Sequence, residues 1–215
     1  MSAIVDLSLT YQSGMRGVEI EPHHKVAKDG WNSSTLHLYS HAGTHMDAQT
    51  HFGAGSESVD LIEIGRCIGP AWVIDIRKLS PKSLIEVDHL GVVPEYFNPG
   101  DSLLFHSGWS RHVHDPEYYR NHFPRISPEL ATWCVDAEVK MLGVESPSVA
   151  DVNDLIEVTD IHKILLSGNV VIVEGLAGLN KLTETKVIFV AAPLKISDGD
   201  GAPCRAFAIQ KDITL

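Results

Sequence analysis

The stretch His41-Ala42-Gly43-Thr44-His45-Met46-Asp47-Ala48-Gln49-Thr50-His51 decides how this chain is read. It places three histidines and one aspartate within 11 residues, at offsets 0, 4, 6 and 10. Neutral imidazole and carboxylate are the ligands that suit zinc, manganese or ferrous iron. All four offsets are even, so an extended chain would turn every donor to one side. A straight strand of that length would run ~33 Å, too long for one site. The chain must therefore bend, and Gly43 is the obvious place. A helical reading would pair His41 with His45 at i, i+4, as in the H-E-x-x-H zinc proteases. It is the weaker one, because Gly43 and Thr44 disfavour helix and no Glu follows His41. The bland alternative is a histidine-rich polar loop; it fits a lone histidine better than four donors at one parity.

A site of this kind needs ligands from elsewhere in the chain. Thr159-Asp160 reads as a helix start that Gly168 would end. The strand Val170–Glu174 follows after a tight Gly168-Asn169 connection, so helix and strand should run antiparallel. That brings His162 beside Glu174, although they are twelve positions apart. In a first helical turn the helix dipole would keep His162 neutral and metal-competent. Glu174 ends an apolar stripe through Val170 and Ile172, and a partly buried carboxylate there requires a partner. His37 and His106 are weaker candidates, each on its own strand.

The rest of the chain limits the function classes. The 17 Lys+Arg against 28 Asp+Glu give a net charge of −11, which argues against a nucleic-acid binder. The longest clearly apolar run, Val187 to Leu194, is 8 residues, far short of the ~20 that span a bilayer. Cys67, Cys134 and Cys204 are too far apart and too few for a disulfide framework or a cysteine zinc site. They read as core thiols in a reducing compartment. Met1 to Thr10 shows no basic, apolar leader pattern, so a cytoplasmic protein is expected. Neither a G-x-G-x-x-G nor a P-loop supports nucleotide binding, and no G-x-S-x-G marks a nucleophile elbow. Asp151-Val152-Asn153-Asp154-Leu155 begins like a calcium loop but puts Leu155 at a ligand position.

Short β-type runs recur at Ile4–Leu7, Thr35–Tyr39, Ala71–Ile76, Ser102–Phe105, Met141–Val144, Val170–Val173, Val187–Val190 and Arg205–Ile209. Ser127-Pro128-Glu129 starts a helix over Leu130–Lys140. Leu84–Leu90 and Glu117–His122 are weaker helix candidates. Asn98-Pro99-Gly100-Asp101 and Ser197-Asp198-Gly199-Asp200-Gly201 read as turns or loops. Many strands with a few helices and no linker predict one mixed α/β domain over residues 1–215.

The two motifs together resemble the cyclase family of bacterial-type kynurenine formamidases, isatin hydrolase and metal-dependent dienelactone hydrolases. Its signature, H-x-G-T-H-x-D-x-P-x-H, is matched at His41, Gly43, Thr44, His45, Asp47 and His51, with Gln49 in place of the proline. Asp6-Leu7-Ser8, Leu103 to Trp109, Gly143 to Ser148 and the His162…Glu174 pair also look familial. The resemblance implies a swivelling β/β/α domain, with a mixed sheet and a few helices. It implies a metal-dependent hydrolase, with His41, His45, Asp47 and Glu174 holding a first divalent metal. Asp47, His162 and Glu174 would hold a second; some members use one ion. The metal would be zinc or manganese. His51 would be the catalytic proton donor and acceptor, and the assembly a homodimer or homotetramer. The formamidases carry Trp-Pro-Gly-Asp after the first strand; here Tyr11 to Ile20 has neither the Trp nor the Pro. Arg16, near that pocket by analogy, is a candidate for attracting an acidic small-molecule substrate.

Three functions are thus in play. The first is hydrolysis of a small amide, cyclic amide or lactone, metal-activated water attacking the carbonyl with His51 as proton shuttle. The second is an iron oxygenase, since His45, Asp47 and His162 imitate a two-His-one-carboxylate triad. The third is a family member that binds metal or ligand without catalysis.

Overall fold

The computed structural model describes residues 3–210. Its main body is one eight-stranded sheet in the order β1 (Ala3–Asp6), β12 (Gly201–Gln210), β11 (Lys186–Pro193), β5 (Ile68–Asp75), β7 (Ser102–His106), β9 (Met141–Val144), β10 (Val171–Glu174) and β4 (His45–Asp47). β4 also pairs with β12, and that pairing closes the sheet into a barrel. The long β12 makes closure possible. One edge takes β11; the other is shared between β1 at Phe207–Gln210 and β4 at Gly201–Pro203.

β5, β7, β9 and β10 are parallel neighbours. Parallel strands need crossovers, which cover the sheet and bury both faces. β7, β9 and β10 are buried at every residue accordingly. Their alternation divides two cores. Leu104, Met141, Val171, Val173 and Phe189 fill the barrel. Leu103, Phe105, Leu142, Val144 and Ile172 pack outward under helices α4 (Pro128–Asp136) and α5 (Leu155–Ser167). Shorter elements complete the fold: the hairpin β2 (Val18–His24) and β3 (Ser33–Leu38) around α1 (Val26–Asp29), the small pair β6 (Leu84–Ile85) and β8 (Arg125–Ile126), α2 (Val93–Tyr96) and α3 (Pro116–Asn121). The mixed α/β architecture is as expected, and the β-type runs all fall on strands.

Several boundaries differ from expectation. α5 begins at Leu155, not at Thr159-Asp160, because the Asp154 carboxylate accepts from the backbone N–H groups of Ile156 and Glu157 and caps the helix there. α4 does start with Ser127 as cap and Pro128 inside, but it ends at Asp136 rather than Lys140. Glu138 adopts a left-handed φ of 56° and its carbonyl accepts from Gly100 instead of continuing the helix. Leu84–Leu90 is no α-helix: it splits into β6 and a 3-10 turn over Val87–Leu90. Its apolar residues suit burial in either form, so periodicity could not arbitrate. The hairpin partner of β3, Val18–His24, carried a weak strand signal because its alternation, Val18-Glu19-Ile20-Glu21, is cut short at Pro22. Gly201, read as loop, opens β12. Gly168 ends α5 at an ordinary φ of −81°. The left-handed residue is Asn169 (φ 62°); glycine is needed at 168 because a Cβ there would run into Val135.

Candidate metal centre

β4 supplies the middle of the site. Met46 points into the barrel core, so His45 and Asp47 share the opposite face. That face lies beside β10, in a register that puts Glu174 opposite His45 and Ile172 opposite Asp47. α5 runs back antiparallel over β10, as expected, and delivers His162. His162 Nε2 lies 3.6 Å from Asp47 Oδ2 and 3.4 Å from Glu174 Oε1; His45 Nε2 lies 3.6 Å from Asp47 Oδ1 and 3.2 Å from Glu174 Oε2. All four side chains are buried.

The expected bend is at Gly43, with φ 57°. It ends the single-strand reading of the cluster: only His45–Asp47 is extended. His41 enters from the turn before β4, and His51 from a 3-10 turn over Gln49–Phe52 after it. The bend is braced on both sides. The Thr44 hydroxyl donates to the Gly175 carbonyl (2.6 Å), and the Tyr11 hydroxyl reaches the Ala42 and Thr44 carbonyls. Gln49, standing where the family signature has proline, donates to Asn169 Oδ1 at 2.9 Å and accepts from Glu57 N–H. Side-chain hydrogen bonds thereby tie this loop to the α5–β10 connection in place of a rigid ring.

The donor set fits a divalent cation. His45 Nδ1 donates to the Gly43 carbonyl at 3.0 Å, and His162 Nδ1 donates to the Val158 carbonyl at 2.6 Å. Each ring thus commits its Nδ1–H to backbone and turns its Nε2 toward the two carboxylates, the arrangement metal-binding histidines use. For His162 this replaces the dipole argument, because the helix begins five residues earlier than expected and His162 lies outside its first turn. His45 Nε2 and Asp47 Oδ2 are buried without a hydrogen-bond partner, which costs free energy unless an ion completes them. Burial pushes the His45 and His162 pKa values down, but Glu174 and Asp47 pull both above the ordinary histidine value. Burial would raise Asp47, yet His41, His45 and His162 hold it well below the carboxylate range. Burial and Asp47 push Glu174 up, and His162 and His45 outweigh them. In the chain by itself, protons on the histidines therefore stand where a cation's charge would be.

His41 joins from the side. Its Nδ1 is 2.8 Å from Asp47 Oδ1 and its Nε2 is 3.0 Å from Asp200 Oδ2. Burial lowers its pKa, but the two carboxylates win and raise it to about 9. His51 stacks on His41 (ring centroids 3.8 Å apart, planes at 25°), and its Nδ1 is 3.6 Å from Asp200 Oδ2. Burial, then the charges of His41 and His162, push His51 below the ordinary histidine value against the pull of Asp47 and Glu174. That direction favours the uncharged ring. Three donor sets each lie within 4.8 Å: His41/His45/Asp47, Asp47/His162/Glu174 and, half-buried beside them, His41/His51/Asp200. A facial triad of His45, Asp47 and His162 would leave His41 and Glu174 idle at the same centre.

The site opens into a cavity of about 720 Å³ that His41, His45, His51, His162 and Glu174 line together with Arg16. Two other weak candidates lie elsewhere. His37 is on the exposed hairpin beside Glu21, and His106 is buried at the end of β7. Asp200 was not expected. It falls in a stretch whose aspartates and glycines signal only a turn, and it reaches the site because its carbonyl accepts from Ala48 N–H where β12 meets β4. The familial segments around Trp109 and Glu145 serve the scaffold. The buried Glu145 carboxylate accepts from Ser110 Oγ (2.7 Å), Ser107 Oγ, Gly108 N–H and Trp109 N–H, which locks the turn after β7.

Comparison with known proteins places this architecture. Residues 5–151 match the Putative cyclase family, and the chain belongs to it. Among its relatives is the kynurenine formamidase of Salinibacter ruber, 30% identical over 177 residues, spanning 81% of this chain and 78% of that one. The isatin hydrolase of Roseibium aggregatum is 26% identical over 228 residues, spanning 96% and 86%. In fold, the chain superposes on isatin hydrolase A from Labrenzia aggregata bound to benzyl benzoate with a TM-score of 0.89, at 23% identity, covering 98% of this chain and 94% of that one.

Proposed function

We infer that this chain is a metal-dependent hydrolase of a small amide, cyclic amide or lactone. The single observation that carries the reading is the pair of buried imidazoles, His45 and His162, whose Nδ1–H groups are spent on carbonyls and whose Nε2 atoms converge on Asp47 and Glu174. The relatives named kynurenine formamidase and isatin hydrolase support an amide or cyclic-amide bond as the target.

We assign His41, His45, Asp47, His162 and Glu174 as the metal donors. Nitrogen and carboxylate ligands suit zinc or manganese, and the two donor sets sharing Asp47 support two ions. A divalent ion held there would supply Lewis acidity and a water that ionises near neutral pH. The chain's own residues do the rest. Asp47 and Glu174 hold the centre, each with two oxygens aimed between the histidines. The carbonyls of Gly43 and Val158 keep His45 and His162 in one tautomer and one orientation. His51 has no competing short hydrogen bond and faces the cavity. It takes a proton from the attacking water and passes it to the leaving nitrogen or oxygen. The turn bearing Arg16 forms part of the cavity wall and supports an acidic substrate.

The test is metal analysis of the purified protein followed by an ester, lactone and formamide panel. His51→Ala is expected to keep its metal and lose ~10²–10⁴ in kcat. Wild-type turnover by metal-loaded His51→Ala would remove the assigned role, and a metal-loaded wild type inert to the whole panel would overturn the hydrolase reading. We also propose a homodimer or homotetramer, supported by the hairpin that leaves Trp31, Leu36 and Tyr39 more than half exposed, and a reducing, cytoplasmic location, supported by three free buried cysteines.

A further inference from the structure

Seven arginines serve a chain with 28 acidic residues, and most are neutralised. Arg66 pairs with Glu57, Arg77 with Asp75, Arg125 with Glu157, and Arg205 with Asp6. Two of the rest behave differently. Arg16, in the turn before β2, and Arg120, in the last turn of α3, come from distant parts of the chain to line the same cavity as His51 and Glu174. Among the described residues neither has an acidic partner within ion-pair distance or a side-chain hydrogen bond. Arg120 also feels its neighbour: burial lowers its pKa most and the Arg16 charge next, while Tyr39 and Glu174 raise it by less. Two like charges placed together with no acidic group at ion-pair distance, in a protein with so many carboxylates to spare, raise the energy of the empty cavity. An anion between them removes that cost and gains charge-assisted hydrogen bonds from two planar forks.

We propose that Arg16 and Arg120 form an anion subsite, and that the substrate is a small acyl compound carrying a carboxylate separate from the bond that is hydrolysed. The acyl half of this inference rests on the hydrolase reading; the anion half does not. The subsite lines the same cavity as the histidine cluster, so it orients a substrate by one end while the other meets the metal donors. Tyr39 and Tyr119 line the same cavity and supply flat apolar surface for the body of an aromatic or planar acid. Family resemblance pointed to Arg16; Arg120 lies on a short helix with no pattern to single it out, and only folding brings it to the cavity.

Two measurements decide the matter. Benzoate is titrated into the metal-loaded protein by calorimetry, using wild type, Arg16→Gln and the Arg16→Gln/Arg120→Gln double variant. The double variant is expected to bind ~10-fold or more weakly, as loss of charge-assisted bonds requires. Benzoate binding of equal strength in wild type and double variant would mean that the metal alone takes the anion, and would overturn the subsite. Arg16→Gln changes only an exposed turn, so it covers the case in which Arg120→Gln fails to fold; unchanged affinity there overturns the pairing. The second measurement is the ratio of kcat/KM for 2-formamidobenzoate over formanilide. Wild type is expected to prefer the carboxylated compound by ~10-fold or more, and the ratio should fall toward one in the double variant. A wild-type ratio near one overturns the substrate class. A wild type that binds benzoate through the arginines yet turns over neither compound nor any ester, lactone or formamide of the panel sinks the hydrolase reading and leaves the anion subsite standing.

Discussion

His41 hangs between Asp47 and Asp200, and that position couples metal binding to pH. Its folded pKa of about 9 exceeds the ordinary 6.5. A raised histidine contributes stability that is complete below 6.5 and is lost as pH rises through about 9. Chelator-treated protein should therefore lose thermal stability between these limits, and His41→Ala should flatten that loss. Metal-loaded protein should show the opposite slope over the same range, because protons compete with the ion for His41; unfolding midpoints measured against pH check both. Gly175 is the second sensitive residue. It has φ 67°, and a Cβ there would overlap the Gly43 carbonyl at the bend that aims His45. Gly175→Ala should cost at least ~2 kcal/mol and lower metal affinity together with stability, as read by denaturant unfolding and metal titration. The signature residues were legible because ligand chemistry restricts the residue types. Asp200 was not, because an aspartate in a glycine-rich turn is the commonest kind of aspartate.

At the scale of elements, α5 and β10 carry half the site. Their antiparallel arrangement follows from a connection too short for any other, so the meeting of His162 with Glu174 could be read in advance. The helix start could not. Thr159-Asp160 and Asp154 both offer a capping side chain, and only the folded backbone shows that Asp154 accepts two orphan N–H groups. Asp154→Ala should cost ~0.5–2 kcal/mol of stability. It should leave the His162 tautomer intact, because that rests on Val158 one turn back along the helix rather than on the terminus. Chemical denaturation with and without metal separates the two effects. β4 teaches a related lesson: three extended residues suffice for a site when both edges are paired, and so short a run carries little strand signal of its own.

Across the whole molecule, closure of the sheet brings the C-terminal strand to the N-terminal signature. β12 meets β4 at Gly201–Asp47, which carries Asp200 to His41 and His51. The hairpin of β2 and β3 stands apart with mostly exposed residues, and an isolated two-stranded hairpin is marginal in water. It should be covered in a homodimer or homotetramer. Sedimentation or light scattering should give an oligomer mass, and Trp31→Glu with Leu36→Glu should shift it toward the 23.5 kDa of one chain.

The amino-acid sequence by itself determined which chemistry this protein can host. Candidate metal donors and a bend at Gly43 follow from residue type and spacing, and they fall within one short stretch. It also determined the mixed α/β class, because β-branched runs and capped helices follow local preferences. Tertiary structure alone decided that β4 would seal the barrel against β12, that Asp200 would join the centre and that Arg120 would face the cavity beside Arg16. Those meetings depend on the closure of a sheet whose partners lie far apart in the chain, and no local preference encodes which distant residues it brings together.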